Sequence, residues 1–305
     1  MAKGACLPLD PVMNPVLARL ARLWPARDSL RNRPPNWSAA GITDPWFRDH
    51  FEYATAVVSE WLGQAMPLER ARVMDFGCGD GITGLGVALK HGPRQVLGID
   101  VTQTFRRLSQ VARAQIGLAR LPYNLHFERI SPGEPLAGRH SIDAIFSWSA
   151  FEHIERPYLV PVIADLFACL PSAGLFFLQI DPLYYSPFGS HLGRFVAQPW
   201  AHLLWDAERL SRAVLEFEGD IPDAEKEINF LARPFGEYKA FIFEEYLKLN
   251  RVTADEIIAL FVAQGFEVLR EARTRTDLVI PAALAARYPE ADLATAGIQV
   301  LFRKP

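Results

Sequence analysis

Short apolar segments alternate with longer segments of helical periodicity between residues 70 and 181. The short segments are rich in Val, Ile, Leu and Phe, which is typical of buried strands, and they begin near Arg72, Gln95, Asn124, Ser141 and Leu175. Between them, apolar residues recur every three or four positions, as on one face of a helix. The alternation predicts an α/β fold with a doubly wound, mostly parallel sheet and helices on both faces.

Several predicted helices carry recognisable start signals. A helix over 44–63 has Pro45 in its first turn, where a missing N–H costs nothing. Thr102 is a candidate N-cap for the helix after the second strand, and Pro161 is a candidate first-turn residue for the helix after the fourth. A capping box at Thr253–Glu256 begins a further helix, after which two short apolar segments predict the last strands.

The alternation is interrupted after Asp181. Residues 182–250 combine a turn-rich aromatic segment with an acidic helical region, and this length exceeds that of a plain connection. We therefore expect a helical insertion after the fifth strand that forms a substrate cap within a domain of residues 41–305. Residues 1–40 are predicted to form an N-terminal extension. Its amphipathic helix, near 17–24, fits either packing onto the domain or peripheral contact with a membrane or partner.

The first strand leads into a glycine-rich loop, Asp75-Phe76-Gly77-Cys78-Gly79-Asp80-Gly81-Ile82-Thr83-Gly84, and the second strand ends in Asp100. An acid at that position can accept hydrogen bonds from a ribose diol. The loop also matches Gly-x-Gly-x-x-Gly, so an NAD(P)-dependent oxidoreductase is one reading. Asp75 favours a different ligand, because a pyrophosphate avoids a carboxylate, whereas S-adenosylmethionine (SAM) is cationic and carries no phosphate.

The Asp-x-Gly-x-Gly-x-Gly pattern resembles the first motif of class I SAM-dependent methyltransferases, and the resemblance extends over about 70–181. It implies a Rossmann-like sheet of seven strands closed by an antiparallel hairpin, and a helix at 44–63 that covers the SAM pocket. SAM would be the cofactor and S-adenosylhomocysteine (SAH) the product. The implied cofactor contacts are Asp75, Gly77, Cys78, Gly79, Gly81, Asp100, Val101, Ile130, Ser131, Ser147 and Trp148.

The loops after strands four and five would face the transferred methyl group, since ligands of open α/β sheets bind outside the carboxyl ends of the strands. His191 and His153 are the candidate general bases, because an imidazole can accept a hydroxyl proton at neutral pH. Glu152 is the third candidate catalytic residue. In some members of the family a Glu-His pair binds a divalent metal, but Ser149 stands where a further acid would help, so no metal is expected.

Aromatic side chains in the same loops suit a sugar or an aromatic acceptor, although core packing would also explain several of them. The candidate substrate contacts are Phe151, Asp181, Tyr184, Tyr185, His191 and Trp200. Segments 182–192 and 199–204 resemble a bacterial methyltransferase subgroup associated with polysaccharide or glycolipid assembly. We therefore expect O-methylation of a small molecule or saccharide. The alternatives are an oxidoreductase, for which a Tyr-x-x-x-Lys motif is missing, and a non-catalytic SAM-binding module.

Composition narrows the partners further. The chain has 305 residues, half of them apolar, and a net charge of −3, which gives no general attraction to nucleic acid. Its three scattered cysteines argue against a disulfide framework or structural zinc and fit a reducing compartment. No apolar run approaches the ~20 residues that span a bilayer. We expect a cytoplasmic protein, and its oligomeric state is left open.

Overall fold

The computed structural model describes residues 36–221 and 234–305. Seven strands form one sheet in the order β3-β2-β1-β4-β5-β7-β6. β7 runs in the opposite direction to the other strands, so its pairings with β5 and β6 are antiparallel and the other pairings are parallel. The predicted fold class and terminal hairpin are therefore confirmed. The strands are β1 (Arg72–Phe76), β2 (Gln95–Asp100), β3 (Leu125–Arg129), β4 (Ala144–Trp148), β5 (Leu175–Ile180), β6 (Glu267–Arg275) and β7 (Thr295–Arg303).

Helices cover both faces of this sheet and build the insertion. In chain order they are α1 (Pro45–Arg48), α2 (Thr55–Gly63), α3 (Ile82–Lys90), α4 (Leu108–Ile116), α5 (Arg156–Cys169), α6 (Ala201–Leu204), α7 (Ala207–Leu215), α8 (Phe235–Lys248), α9 (Ala254–Gln264), α10 (Ala282–Ala285) and α11 (Glu290–Ala294). A π-helix, Asp49–Ala54, joins α1 to α2. Short 3-10 helices lie at Ala39–Gly41, Leu68–Arg70, Thr104–Arg107 and Phe151–His153.

The start signals were correct at two helices and wrong at two others. The Asp44 carboxylate accepts the N–H groups of Trp46 and Phe47 at the start of α1, and the capping box at Thr253 is formed. Pro161, however, lies inside α5, which begins at Arg156. Thr102 caps no helix, because its hydroxyl donates to Asp100 Oδ1 at 2.7 Å instead.

Three apolar cores stabilise the molecule. Val73 and Met74 point to opposite faces of β1, as alternate strand residues must, and they belong to separate cores on the two sides of the sheet. The third core is formed mainly by the insertion and includes fully buried Trp200 and Tyr238. It also contains Leu284 and Leu293, so the β6–β7 connection contributes to the insertion's packing, which the sequence did not predict.

Within 36–221 and 234–305, no helix combines the length and the apolar character needed to span a bilayer. The amphipathic helix predicted near 17–24 lies outside the described residues.

An ion pair joins the starts of the two central strands. Asp143, just before β4, accepts hydrogen bonds from the backbone N–H of Arg72 at 2.8 Å and from its Nε at 2.9 Å. A third bond comes from the same guanidinium. The side-chain bond from Arg72 lowers the pKa of Asp143. The pair therefore fixes β1 beside β4 at the edge opposite the glycine loop.

We expect Asp143→Asn to lower the free energy of unfolding by about 1–3 kcal/mol at neutral pH, since hydrogen bonds to charged groups contribute about that much. A carboxyl whose folded pKa is lowered stabilises the fold above its unfolded pKa of about 3.9, and this contribution is lost as pH falls through the folded pKa. The stability of the two proteins, measured by urea unfolding, should therefore converge below about pH 4.

The matched control for this measurement is Arg212→Gln, which breaks the exposed i,i+4 pair with Glu208. Such surface pairs contribute only about 0.3–0.5 kcal/mol. Equal losses in the two variants at neutral pH would contradict a special role for Asp143.

Candidate functional site

Three glycines of the loop between β1 and α3 adopt left-handed backbone conformations, with φ of 76° at Gly77, 53° at Gly79 and 78° at Gly81. Side chains are disfavoured there. A Cβ on Gly77 would lie 2.3 Å from the Ala150 Cβ, and one on Gly81 would lie 2.5 Å from the Phe127 ring. A Cβ on Gly79 would meet open space. The loop is therefore packed on one side and free to receive a ligand at Gly79.

Asp100 connects the end of β2 to this loop. Its Oδ2 accepts the Gly79 N–H at 2.8 Å, and its Oδ1 accepts both the N–H and the hydroxyl of Thr102, at 2.6 and 2.7 Å. A carboxylate offers about four lone-pair directions, so capacity remains for a ribose hydroxyl. The acid predicted to hold the diol thus also fixes the loop that would hold the rest of the ligand.

Asp75 lies behind the loop rather than at its lip, which corrects the sequence-based picture. The side chain is only 2% exposed, it accepts a hydrogen bond from the Gly84 N–H, and burial raises its pKa well above the usual range, with Asp100 and Asp80 adding to the effect. Its Oδ2 has no hydrogen-bond partner. A signal for this burial was present, because Asp75 shares the inward face of β1 with Val73.

Helix α1 contacts the glycine loop through Trp46. The Trp46 Nε1–H donates to Asp80 Oδ2 at 2.8 Å, and the indole stacks on His50 at a ring distance of 4.3 Å. The other Asp80 oxygen accepts the Ile82 N–H at the start of α3. Asp80 therefore ties the helix predicted to cover the pocket directly to the glycine loop.

The loops after β4 and β5 bring three ionisable side chains together. Glu152, His153 and His191 each offer a ligand atom within 4.8 Å of the other two, and the two imidazole rings lie 4.9 Å apart. Glu152 is 5% exposed, whereas His153 keeps an accessible surface. The Asp100 charge acts on the pKa of His153, so this cluster and the predicted diol site lie close enough to interact.

Burial sets the protonation of this cluster. It raises the pKa of Glu152 to about 8. Desolvation of the ring by neighbouring groups lowers the pKa of His153, although the residue keeps accessible surface. Burial, with repulsion from His153, lowers the pKa of His191 to about 3. An imidazole with so low a pKa is neutral at pH 7 and a weak base, since the best catalytic bases have pKa values near the working pH. This position weakens the expectation that His191 alone removes the hydroxyl proton.

Comparison with known proteins agrees with this geometry. Residues 73–174 match the family model of a methyltransferase domain. The chain is 30% identical over 123 residues to a ubiquinone biosynthesis O-methyltransferase of Ralstonia nicotianae, covering 40% of this chain and 48% of the relative. A protein of the same name from Albidiferax ferrireducens is 31% identical over 124 residues, covering 40% and 46%. The chain thus spans about half the length of the curated relatives it matches.

A solved structure from Galdieria sulphuraria, described as a candidate sarcosine dimethylglycine methyltransferase, has a TM-score of 0.50 at 15% identity. It covers 83% of this chain and 85% of its own, and a likeness at this identity concerns the fold. Residues 73–174 therefore form a methyltransferase domain, on the seven-stranded sheet that the sequence predicted for a class I SAM-dependent methyltransferase. The cofactor is accordingly SAM. The open space at Gly79 and the Asp100 carboxylate bound to its N–H fit a ligand that carries no phosphate at this point.

The remaining predicted cofactor contacts of this methyltransferase core lie along the carboxyl edge of the sheet, in different environments. Cys78 is buried, with its sulfur close to Gly98, so it fills space behind the loop, and burial raises the pKa of its thiol. Val101 is exposed, and the Ile130 N–H donates to the Asp100 carbonyl. The Ser131 N–H is bound by Glu134.

The β4 end contributes two more of the predicted cofactor contacts. Ser147 is fully buried, and its hydroxyl has no hydrogen-bond partner, so its side chain offers no accessible surface. Trp148 is half-buried and meets the edge of Tyr53 at 6.0 Å. Of the two side chains, only that of Trp148 is partly exposed and so available to a ligand.

Two of the predicted substrate contacts are packing residues in the structure. Phe151 is fully buried against Phe176 and Phe261, and Trp200 is 1% exposed with its Nε1–H donated to the Tyr185 carbonyl. Neither ring offers a face to an acceptor. Both were predicted as acceptor contacts because aromatic residues cluster in these loops, and sequence alone does not distinguish a buried ring from an exposed one.

The other predicted acceptor contacts lie nearer the surface or at a recess. Tyr184 lines a small recess together with Glu152 and Arg251. Tyr185 is half-buried, with its ring 5.5 Å from that of Tyr288. Asp181 is exposed, and its carboxylate approaches Gly297.

Sequence analysis missed Asn250, which holds the Glu152 loop. Its Nδ2 donates to the carbonyls of Phe151 and Ile154 at 2.6 and 3.0 Å, and its N–H donates to the Glu152 carbonyl at 3.2 Å. These partners are almost 100 residues away in sequence, so no local pattern indicates the contact. Neighbouring Arg251 has a left-handed φ of 58°, at the rim of the same recess.

We expect Asp100→Ala to weaken SAH binding about 10- to 100-fold, because a hydrogen bond to a charged group contributes about 1.5–3 kcal/mol. Titration calorimetry measures this directly, and thermal unfolding shows whether the loop remains folded. Asp255→Ala, which removes an exposed carboxylate paired with Arg273, is the matched control. Wild-type affinity in the Asp100 variant would show that the ribose binds elsewhere.

Proposed function

We propose that this chain transfers a methyl group from SAM to a hydroxyl oxygen of a small molecule or saccharide. The observation that carries the proposal is the Glu152, His153 and His191 cluster at the carboxyl edge of the sheet, beside the glycine loop that we propose as the SAM site. β4 lies between β1 and β5, so the loop bearing Glu152 adjoins the glycine loop on one side and the β5 loop on the other. The names of both curated relatives, O-methyltransferases, support oxygen as the acceptor atom.

The reaction is an in-line displacement at the methyl carbon. The acceptor oxygen forms the new C–O bond with a lone pair, the C–S bond breaks, and its electrons pass to the sulfur, which becomes the neutral thioether of SAH. The hydroxyl proton leaves toward the cluster. The protein's part is to orient the oxygen and exclude water, and we assign the placement of that oxygen to the cluster.

The insertion of residues 182–250 is the proposed substrate cap. Tyr184 and Tyr185 lie at its base, their rings 5.4 Å apart in an edge contact. Tyr184 is buried in the third core and Tyr185 is partly buried, so the Tyr185 ring is the one that suits a flat or sugar-like acceptor. Asp181, at the end of β5, adds a carboxylate that can accept a hydroxyl hydrogen bond. A saccharide acceptor is supported by the resemblance of segments 182–192 and 199–204 to polysaccharide-modifying enzymes.

The direct test incubates the protein with SAM and a library of hydroxyl compounds, amines and nucleic acids, with detection by mass spectrometry. We expect a mass increase of 14 on a hydroxyl compound and formation of SAH in equal amount. Methylation confined to amines or nucleic acid would contradict O-methylation. SAH binding without any product across the library would favour a non-catalytic SAM-binding module.

We expect His191→Asn to lower kcat by up to about 10²-fold, the cost of misplacing a reacting atom by about 1 Å, with the SAH dissociation constant unchanged. Asn suits the left-handed φ of 60° at this position, since Asn tolerates that region better than most residues. His126→Asn, at an exposed position on β3, is the control. Equal turnover in the two variants would leave His191 a purely structural residue.

A further inference from the structure

The cluster of Glu152, His153 and His191 contains more unpaired hydrogen-bonding capacity than a protein interior normally retains. Both Glu152 carboxylate oxygens and the His191 Nε2 are buried and have no hydrogen-bond partner. Buried polar atoms are otherwise nearly always satisfied, and each unsatisfied group calls for an explanation. His50, by contrast, places its Nδ1 3.0 Å from the Trp46 carbonyl oxygen.

The three side chains lie close together. One ligand atom from each of them lies within 4.8 Å of the other two. Ligand atoms bound to one Zn²⁺ at roughly 2.0–2.2 Å are also only a few ångströms apart. Two imidazoles with one carboxylate are a recurrent donor set for first-row transition metals.

The backbone holds these side chains in place without assistance from a ligand. The β4 loop is fixed by the hydrogen bonds from Asn250 to the Phe151 and Ile154 carbonyls. On the β5 loop, the His191 N–H donates to the Phe188 carbonyl at 3.0 Å. A preformed site loses little conformational entropy on binding an ion.

We propose that Glu152, His153 and His191 bind a divalent transition-metal cation of the Zn²⁺, Fe²⁺ or Co²⁺ type. A nitrogen-rich donor set favours these ions over Mg²⁺, which prefers oxygen ligands. Three protein ligands leave coordination positions open, as in catalytic metal sites. His153 keeps accessible surface, so the site can be reached from solvent.

The role of the cation rests on the proposed methyl transfer, whereas its binding does not. A cation at this site would attract an acceptor hydroxyl and lower its pKa, as Lewis-acidic metals do. With the imidazoles bound to the cation, the hydroxyl proton would pass to water and not to the cluster. The oxygen lone pair would form the bond to the methyl carbon, and the C–S electrons would pass to sulfur. The acceptor class that fits is a hydroxyl compound with a second oxygen close enough to chelate.

This site departs from the expectation of no metal. That expectation depended on Ser149 standing where a further acid would help, within a short stretch of sequence. The structure supplies the third donor from a different loop, since His191 follows β5 while Glu152 follows β4. A donor set assembled from two loops has no continuous sequence motif.

The test is a binding measurement on full-length protein that carries no polyhistidine tag and has been treated with EDTA and dialysed. Titration with Co²⁺, followed by visible absorption and by calorimetry with Zn²⁺, reports binding without SAM or an acceptor. We expect one tight site per chain, with affinity reduced at least ~100-fold in Glu152→Gln, His153→Asn and His191→Asn. His126→Asn is the matched control, with unchanged affinity.

Circular dichroism of the metal-free variants establishes that they fold, and His153, being exposed, is the substitution that disturbs packing least. Equal Co²⁺ spectra and Zn²⁺ affinities in the three variants and the control would overturn the proposal. So would the absence of a site in the wild-type protein. Methyl transfer at an unchanged rate by metal-free protein would overturn the catalytic role of the cation alone. Tight metal binding without methyl transfer to any acceptor would contradict the proposed function but not the metal site.

Discussion

The bond from the Gly79 N–H to the Asp100 carboxylate is the contact on which the organisation of this molecule depends. It joins the loop after β1 to the end of β2 at 2.8 Å, so two neighbouring parallel strands present their carboxyl ends as one surface. Thr102 fixes the same carboxylate from the other side. Because backbone groups hold the acid in place, the ligand-binding lone pairs are oriented before any ligand arrives, which is the least costly way to build a binding site.

The acceptor side is organised by a different constraint, local strain. Ser149, His191 and Arg251 all have positive φ values without being glycine, and such residues persist only where surrounding contacts enforce them. Gln179 does so for Ser149, accepting its N–H and its hydroxyl at 2.9 Å each. These three residues lie near Glu152 and His153. In the glycine loop, by contrast, the residues with positive φ are glycines.

The sequence predicted the parts of the molecule in which neighbouring residues decide the outcome. The strand and helix periodicities, the capping box at Thr253 and the glycine loop were all readable, because each depends on residues a few positions apart. The features that the sequence did not predict depend on contacts between residues far apart in the chain. The burial of Phe151 and Trp200, the hold of Asn250 on the Glu152 loop, and the approach of His191 to His153 are set by how separate segments pack.

Asp75 shows an intermediate case, in which the residue was identified for a reason that the structure changes. Its carboxylate was expected at the surface, yet it shares the inward face of β1 and lies 2% exposed beneath the loop. Burial, with Asp100 and Asp80 nearby, raises the pKa of this carboxyl well above its usual range, which favours its neutral form. The carboxylate that faces a ligand at this edge is therefore that of Asp100, whereas Asp75 supports the loop from behind by accepting the Gly84 N–H.

The third core has a consequence for how acceptor preference can diverge. Its side chains come from two stretches of chain, because Leu284 and Leu293 of the β6–β7 connection pack with residues of the insertion and the Arg287 guanidinium donates to the Leu203 carbonyl at 3.2 Å. The insertion is therefore not a self-contained module. If the insertion were replaced by that of a related protein, the β6–β7 connection would have to be replaced with it. Replacing either segment alone would expose apolar side chains of the other segment to water.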